Sequence, residues 1–142
     1  MKPPSSVIAD LLTVVLLYVF LALYMVGFFA PSPFAADHAA TMWAIFAAAI
    51  SFLYAFVQAR QRSVLRFLAL FGRLLVCISL ALFIDFVVYV WWYRPDDHEW
   101  SLGAYILSFI ALIYGSPAFV LGYIVRIARD RLTRRFSQPL TG

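Results

Sequence analysis

The sequence predicts an all-α membrane protein: a bundle of four transmembrane helices, built as two hairpins with short loops, with both termini on the cytoplasmic side. Three observations carry this expectation. Of the 142 residues, 65% are hydrophobic and only 13% charged, with a mean hydropathy of +0.90. A soluble domain is nearer half apolar and about one quarter charged, so lipid has to cover much of this surface. Four apolar stretches are long enough to cross a bilayer, and the arginines gather in the segments on one side of them.

A hydrocarbon core about 30 Å thick takes about 20 apolar residues in a helix. The first span is expected at about 8–29, the second at about 39–57, the third at about 67–92 and the fourth at about 102–125. Between them lie turn and breaker sequences: Pro31-Ser32-Pro33, then Gln58 to Arg66, then Arg94-Pro95-Asp96-Asp97. The first stretch follows Lys2 and superficially resembles a secretory signal. Its apolar run is too long for one, so a retained helix is expected. All 142 residues then form a single membrane domain, with a basic cytoplasmic tail over 126–142.

Orientation follows from the basic residues. Lys2, Arg60, Arg62, Arg66, Arg126, Arg129, Arg131, Arg134 and Arg135 fall on one side. Arg94 alone falls on the other, offset by Asp37, Asp96, Asp97 and Glu99. The positive-inside rule places the arginine-rich side in the cytoplasm. Trp43, Trp91, Trp92 and Trp100 all map to the opposite interface, where an aromatic belt is expected. The Ala-rich, Arg-over-Lys composition fits a GC-rich bacterial genome, and with it the plasma (inner) membrane of such a cell. The two halves also share a rough pattern, each with a proline-containing loop ending in Asp-His (Asp37-His38 and Asp97-His98) and an arginine-rich exit. A duplicated hairpin is one reading of this; two unrelated hairpins with similar loop chemistry is the plainer one.

Helices in lipid associate through small residues that let backbones approach. The fourth span carries Ala104, Ser108, Ala111, Gly115, Ala118 and Gly122 at alternating spacings of four and three, and the second carries a similar row at Ala40, Ala44, Ala48, Ser51 and Ala55. Either the rows pack inside the chain or one of them docks a partner or a second copy. Pro117 is expected to bend the fourth helix, because it frees a carbonyl one turn earlier.

Three charged residues fall within the spans. Asp10 and Arg73 sit at similar depths near the cytoplasmic boundary, so an Asp10–Arg73 pair or a snorkelling Arg73 is expected. Asp85 lies roughly 10 Å below the tryptophan interface, at a depth that Ser108 and Tyr24 reach from their own helices. A carboxyl there can be held neutral by hydroxyl neighbours, as glue between helices or as a proton carrier. Arg73 and Asp85 are about 18 Å apart along one helix and do not pair.

The two histidines, His38 and His98, each follow an aspartate, Asp37 and Asp97. Imidazole and carboxylate suit zinc, but no tight ligand spacing accompanies them, and helix capping is the plainer role for these acids. The single cysteine, Cys77, excludes an intrachain disulfide. In the tail, Val125, Ala128, Leu132 and Phe136 share a face, so the fourth helix can continue as an interfacial segment, while Arg126, Arg129, Arg131, Arg134 and Arg135 are expected to meet anionic lipid headgroups. Nucleic-acid binding has no support beyond charge.

No Ser-His-Asp set, paired intramembrane histidine, cysteine pair or phosphate-binding glycine loop is present, so neither an enzyme nor a cofactor is expected. The function expected first is a non-catalytic accessory, stabilising or regulatory subunit of a larger membrane complex, with a membrane-protein partner or a homo-oligomer. Two alternatives stand beside it: a small oligomeric proton- or cation-coupled transporter or channel using Asp85, and an immunity-type protein against a membrane-inserting toxin.

Overall fold

The computed structural model describes residues 5–28, 33–59, 63–92 and 99–136. These form four helices: α1 (Ser5–Phe28), α2 (Pro33–Gln58), α3 (Val64–Trp92) and α4 (Glu99–Phe136). Each is long and apolar enough to cross a membrane. The chain is thus all-helical, with the composition of a multi-pass membrane protein. In α1 only 17% of the stretch Ser6–Leu23 is buried against the rest of the chain, so most of its apolar surface relies on lipid or on a partner.

The helices exceed the expected spans most at two places, the start of α2 and the end of α4. α2 begins at Pro33 rather than near residue 39, because proline suits the first helical position, where its missing N–H costs nothing. Asp37 and His38 therefore lie within α2 and do not precede it, which removes the N-cap role assigned to Asp37. At the far end, α4 does not stop near residue 125 but runs on to Phe136, passing through Pro117 without interruption. Pro117 is exposed, and the tail beyond residue 125 is rich in good helix formers such as arginine, alanine and leucine.

Contacts between named residues set the directions of the helices. Asp10 meets Tyr54 and Phe20 stacks on Phe46, so α1 and α2 are antiparallel. Phe67 meets Tyr123 and Phe71 meets Phe119, so α3 and α4 are antiparallel too. Across the hairpins, Trp43 meets Leu107, Ser51 faces Gly115 and Phe56 lies under Arg126, so α2 and α4 run parallel. The α2–α4 interface is the most extensive in the molecule, and α1 and α4 do not approach one another among the described residues. The helices thus stand in the ring order α1, α2, α4, α3. The corresponding helices of the two hairpins, α1 with α3 and α2 with α4, lie side by side.

The core runs along this ring. Leu17 and Leu21 from α1 meet Trp43, Ala47, Ile50 and Tyr54 from α2, Leu74, Ile78 and Ala81 from α3, and Leu107, Ala111 and Phe119 from α4. Phe67, Phe71, Phe119 and Tyr123 close the arginine-rich end of the α3–α4 hairpin, with edge and tilted ring contacts at centroid distances of 5.1–5.4 Å. Such geometry suits the ring quadrupoles.

Candidate functional site: intramembrane polar groups and the α2–α4 seam

The densest polar chemistry inside the spans lies where α1 begins, α2 ends and α3 is two to three turns old. Arg73 donates from Nε to Asp10 Oδ2 at 3.1 Å, and its Nη2 reaches the same oxygen in an ion pair. The same Nη2 donates to the carbonyl of Ser6 at 3.2 Å. Tyr54, on α2, donates from its hydroxyl to Asp10 Oδ1 at 2.7 Å. The Cys77 thiol points at the Asp10 carbonyl at 3.8 Å. One carboxylate therefore ties three helices, and both of its oxygens are occupied. The side chains of Asp10 and Arg73 remain 27% and 38% exposed at the surface of the bundle.

Tyr54 is the member that sequence reasoning missed. It is 4% exposed and sits in an apolar stretch between Leu53 and Ala55, where a tyrosine reads as ordinary core. A depth count from the end of α2 could have found it, since Tyr54 lies about as far from that boundary as Asp10 lies from its own. Thr13, a turn after Asp10, satisfies its own hydroxyl by donating to Ala9 O at 2.7 Å and takes no part in the cluster.

Asp85 occupies a different environment. It is 5% exposed and faces the interior, and its Oδ2 is buried with no hydrogen-bond partner among the described residues. Ser108 is half-buried and engaged in an interaction of its own; the side chain of Tyr24 lies outside the described residues, as does that of Tyr89. The structure thus places Asp85 inward but provides no partner for this oxygen from the described residues.

The small-residue rows face each other inside the chain. On α4, Ala111 is fully buried and Gly115 and Gly122 are buried, while Ser108 and Ala118 are half-buried at the edges of the seam. Opposite them on α2, Ala44, Ala47, Ser51 and Ala55 are buried and Ala48 and Ala40 half-buried. The side chain of Ala104 lies outside the described residues. The buried line on α2 thus runs Ala47, Ser51, Ala55 at four-residue steps and on to Ala59 just past its end, which slants across the helix, rather than along the row Ala40, Ala44, Ala48, Ser51, Ala55 that the sequence picks out. A Cβ added at Gly122 would strike the backbone carbonyl oxygen of Phe52. One added at Gly115 would meet Ser51 Oγ at 2.8 Å. These two glycines let the α2 and α4 backbones close on each other. Trp43, expected in an interfacial belt, is instead 1% exposed and donates from its indole N–H to the Leu107 carbonyl at 3.0 Å across this seam. Trp91, by contrast, is 86% exposed.

Among the tail arginines the roles divide. The guanidiniums of Arg126 and Arg129 both lie 5.6 Å from the centroid of the Phe56 ring on α2, a cation–π arrangement, and Arg126 also pairs with Asp130 at 3.4 Å. Arg131 and Arg134 are exposed. The side chain of Arg135 lies outside the described residues. Of the acid-histidine set, His38 is exposed; the side chain of Asp37, and Asp97 and His98 entirely, lie outside the described residues, and no cluster of three metal-ligating side chains occurs among those described.

A concavity lies at the arginine-rich end of the α3–α4 hairpin. Ser63, Val64 and Phe67 form one wall, and Tyr123, Ile124, Ile127, Ala128 and Arg131 the other, around a groove of about 580 Å³. No known protein family, curated protein or solved structure significantly resembles the chain.

Proposed function

We propose that this chain is a non-catalytic, multi-pass component of a larger membrane assembly, acting as an accessory, stabilising or regulatory subunit. It sits in the plasma membrane of a bacterial cell with both termini in the cytoplasm, an orientation supported by the one-sided placement of Arg60, Arg62, Arg66 and the tail arginines. The observation that carries the reading is how the chain uses its chemistry. The Asp10 carboxylate is consumed in tying α1, α2 and α3 together, and the small-residue rows are consumed in the α2–α4 seam. Neither group is among the residues that line the groove between α3 and α4. The least buried span is that of α1, 17% against 28–39% in the other three, and its outward face offers Val7, Ile8, Leu11, Leu12, Val15, Leu16, Val19 and Leu23, 43–68% exposed, to another molecule.

The test is affinity purification of the full chain in mild detergent, with a photo-crosslinking residue at Leu12 or, as a control, at Leu121 on the exposed side of α4. A stoichiometric membrane protein captured through Leu12 and not through Leu121 supports the proposal. Recovery of the chain alone, with no crosslink from either position, counts against it.

A second reading has one observation in its favour. The buried Asp85 Oδ2 without a hydrogen-bond partner is the kind of intramembrane carboxyl that proton- or cation-coupled transporters employ. Flux into proteoliposomes that disappears in Asp85→Asn would favour this reading over the first.

A further inference from the structure

The groove at the arginine-rich end of α3 and α4 is not absorbed by the functional reading above. Its floor and walls are apolar: Val64, Phe67, Ile124, Ile127 and Ala128. Its polar atoms sit at one end, where Ser63 ends the loop preceding α3 and Arg131 stands one turn beyond Ile127. The Tyr123 hydroxyl donates to the Ser63 carbonyl at 3.5 Å, tying the two walls together. Arg131 is exposed and makes no ion pair among the described residues, unlike Arg126, whose charge faces Asp130. From Tyr123 to Arg131 the α4 wall is about 12 Å long at the helical rise, and the volume falls within the roughly 300–1,000 Å³ of ligand sites.

An apolar trough that opens onto a helix surface already in lipid, with Val64 77% and Ile124 57% exposed, is filled in the membrane by something apolar. The charge at its polar end selects the kind. Arg131 is the one charged side chain in the groove's lining, and no acid lines it. Phosphate is a good match for a guanidinium, which can present two N–H groups to it at once. A zwitterionic lipid would bring a cation into the same field and gain less.

We propose that this groove seats one anionic glycerophospholipid, with an acyl chain lying between α3 and α4 and its phosphate held by Arg131. The seat is a specific site, distinct from the diffuse attraction of a basic tail to an anionic surface. It stands independently of whether the chain joins a larger assembly.

The experiment uses the full chain, purified in detergent and titrated with phosphatidylglycerol or phosphatidylcholine, with bound lipid counted by native mass spectrometry. The wild-type chain is expected to retain one phosphatidylglycerol and to prefer it over phosphatidylcholine by about fivefold, the factor corresponding to about 1 kcal/mol for one arginine near the surface. Arg131→Gln should abolish that preference, whereas Arg134→Gln, an equal loss of charge outside the groove, should keep most of it. Val64→Trp, at an exposed position on the groove wall, should remove the retained lipid without changing the charge. Equal effects of Arg131→Gln and Arg134→Gln, or unchanged retention in Val64→Trp, would overturn the seat. So would Arg131-dependent binding of inorganic phosphate alone that phosphatidylglycerol does not surpass, because the apolar groove would then contribute nothing.

Discussion

Asp10 shows how one carboxylate is made tolerable inside a mostly apolar bundle: every oxygen is given a donor, and the donors come from two other helices. Removing a donor leaves the carboxylate short of one bond in a region poor in water. Interhelical hydrogen bonds in membranes are modest, averaging about 0.6 kcal/mol and reaching about 1.7. Tyr54→Phe should therefore lower stability by about 1 kcal/mol, measured by denaturation in detergent. Arg73→Leu should cost more, since it strips both the ion pair and the Ser6 carbonyl bond. The double variant Asp10→Asn with Arg73→Leu should recover part of that loss by removing the orphaned charge. If Arg73→Leu proves no worse than Tyr54→Phe, the pair is oriented toward lipid headgroups and does not lock the helices. Asp85 obeys the opposite arithmetic. Its Oδ2 has no partner among the described residues, so Asp85→Asn and Asp85→Val should leave stability unchanged or raise it, because a buried polar group without a hydrogen bond is a cost. A clear drop in Asp85→Val would reveal a bond to a side chain such as Tyr24. If activity of any kind disappears in Asp85→Asn while stability holds, the carboxyl is retained for its proton.

At the scale of the element, the α2–α4 seam makes its glycines unequal. At Gly122 an added methyl meets the Phe52 backbone, which cannot rotate away; at Gly115 it meets the end of the Ser51 side chain. Gly122→Ala should therefore destabilise the bundle strongly, by about 1–3 kcal/mol as for overpacked cores. Gly115→Ala should cost less, and Ser51→Ala should rescue it while doing nothing for Gly122→Ala. Gly72 on α3 has open space where its Cβ would go, so Gly72→Ala should stabilise by up to about 1 kcal/mol through helix propensity alone. Thermal unfolding of these single and double variants checks the whole set. Rescue of both glycine variants by Ser51→Ala would mean that the two backbones are farther apart at Phe52 than the seam requires. The small-residue rows were legible in the sequence as packing faces, but their partner was not. A row of small residues says only that something comes close. Its neighbour here is the other row because the two hairpins dock with α2 and α4 parallel, a long-range arrangement that no local spacing encodes.

For the molecule as a whole, orientation in the membrane is a property of charge, and it is open to direct measurement. In a Cys77→Ala background, Ser32→Cys and Asp97→Cys should react with an impermeant thiol reagent added outside intact cells, and Arg62→Cys and Ser137→Cys should not. Labelling of Arg62→Cys from outside would invert the bundle. Hydrophobicity and length by themselves determined that the chain is helical, that it has four membrane-length segments and roughly where they lie, because a backbone in hydrocarbon must satisfy its own hydrogen bonds and only a long apolar helix does so. They determined helix ends less well: the start of α2 at Pro33 was misjudged because helix continuation depends on backbone bonding rather than on where apolarity stops, whereas the continuation of α4 into the tail was legible in the shared face of Val125, Ala128, Leu132 and Phe136. Which helices touch was decided only by the tertiary structure. The Asp10–Arg73 pairing could be suspected from equal depth on two helices, whereas Tyr54 joined it unseen, since an apolar stretch does not announce which way one hydroxyl turns. Trp43 looked like part of an interfacial belt and became the buried pin of the seam for the same reason. Depth along a helix is written in sequence; direction around it is set by which neighbours leave room, and here the close approach at Gly115 and Gly122 left it.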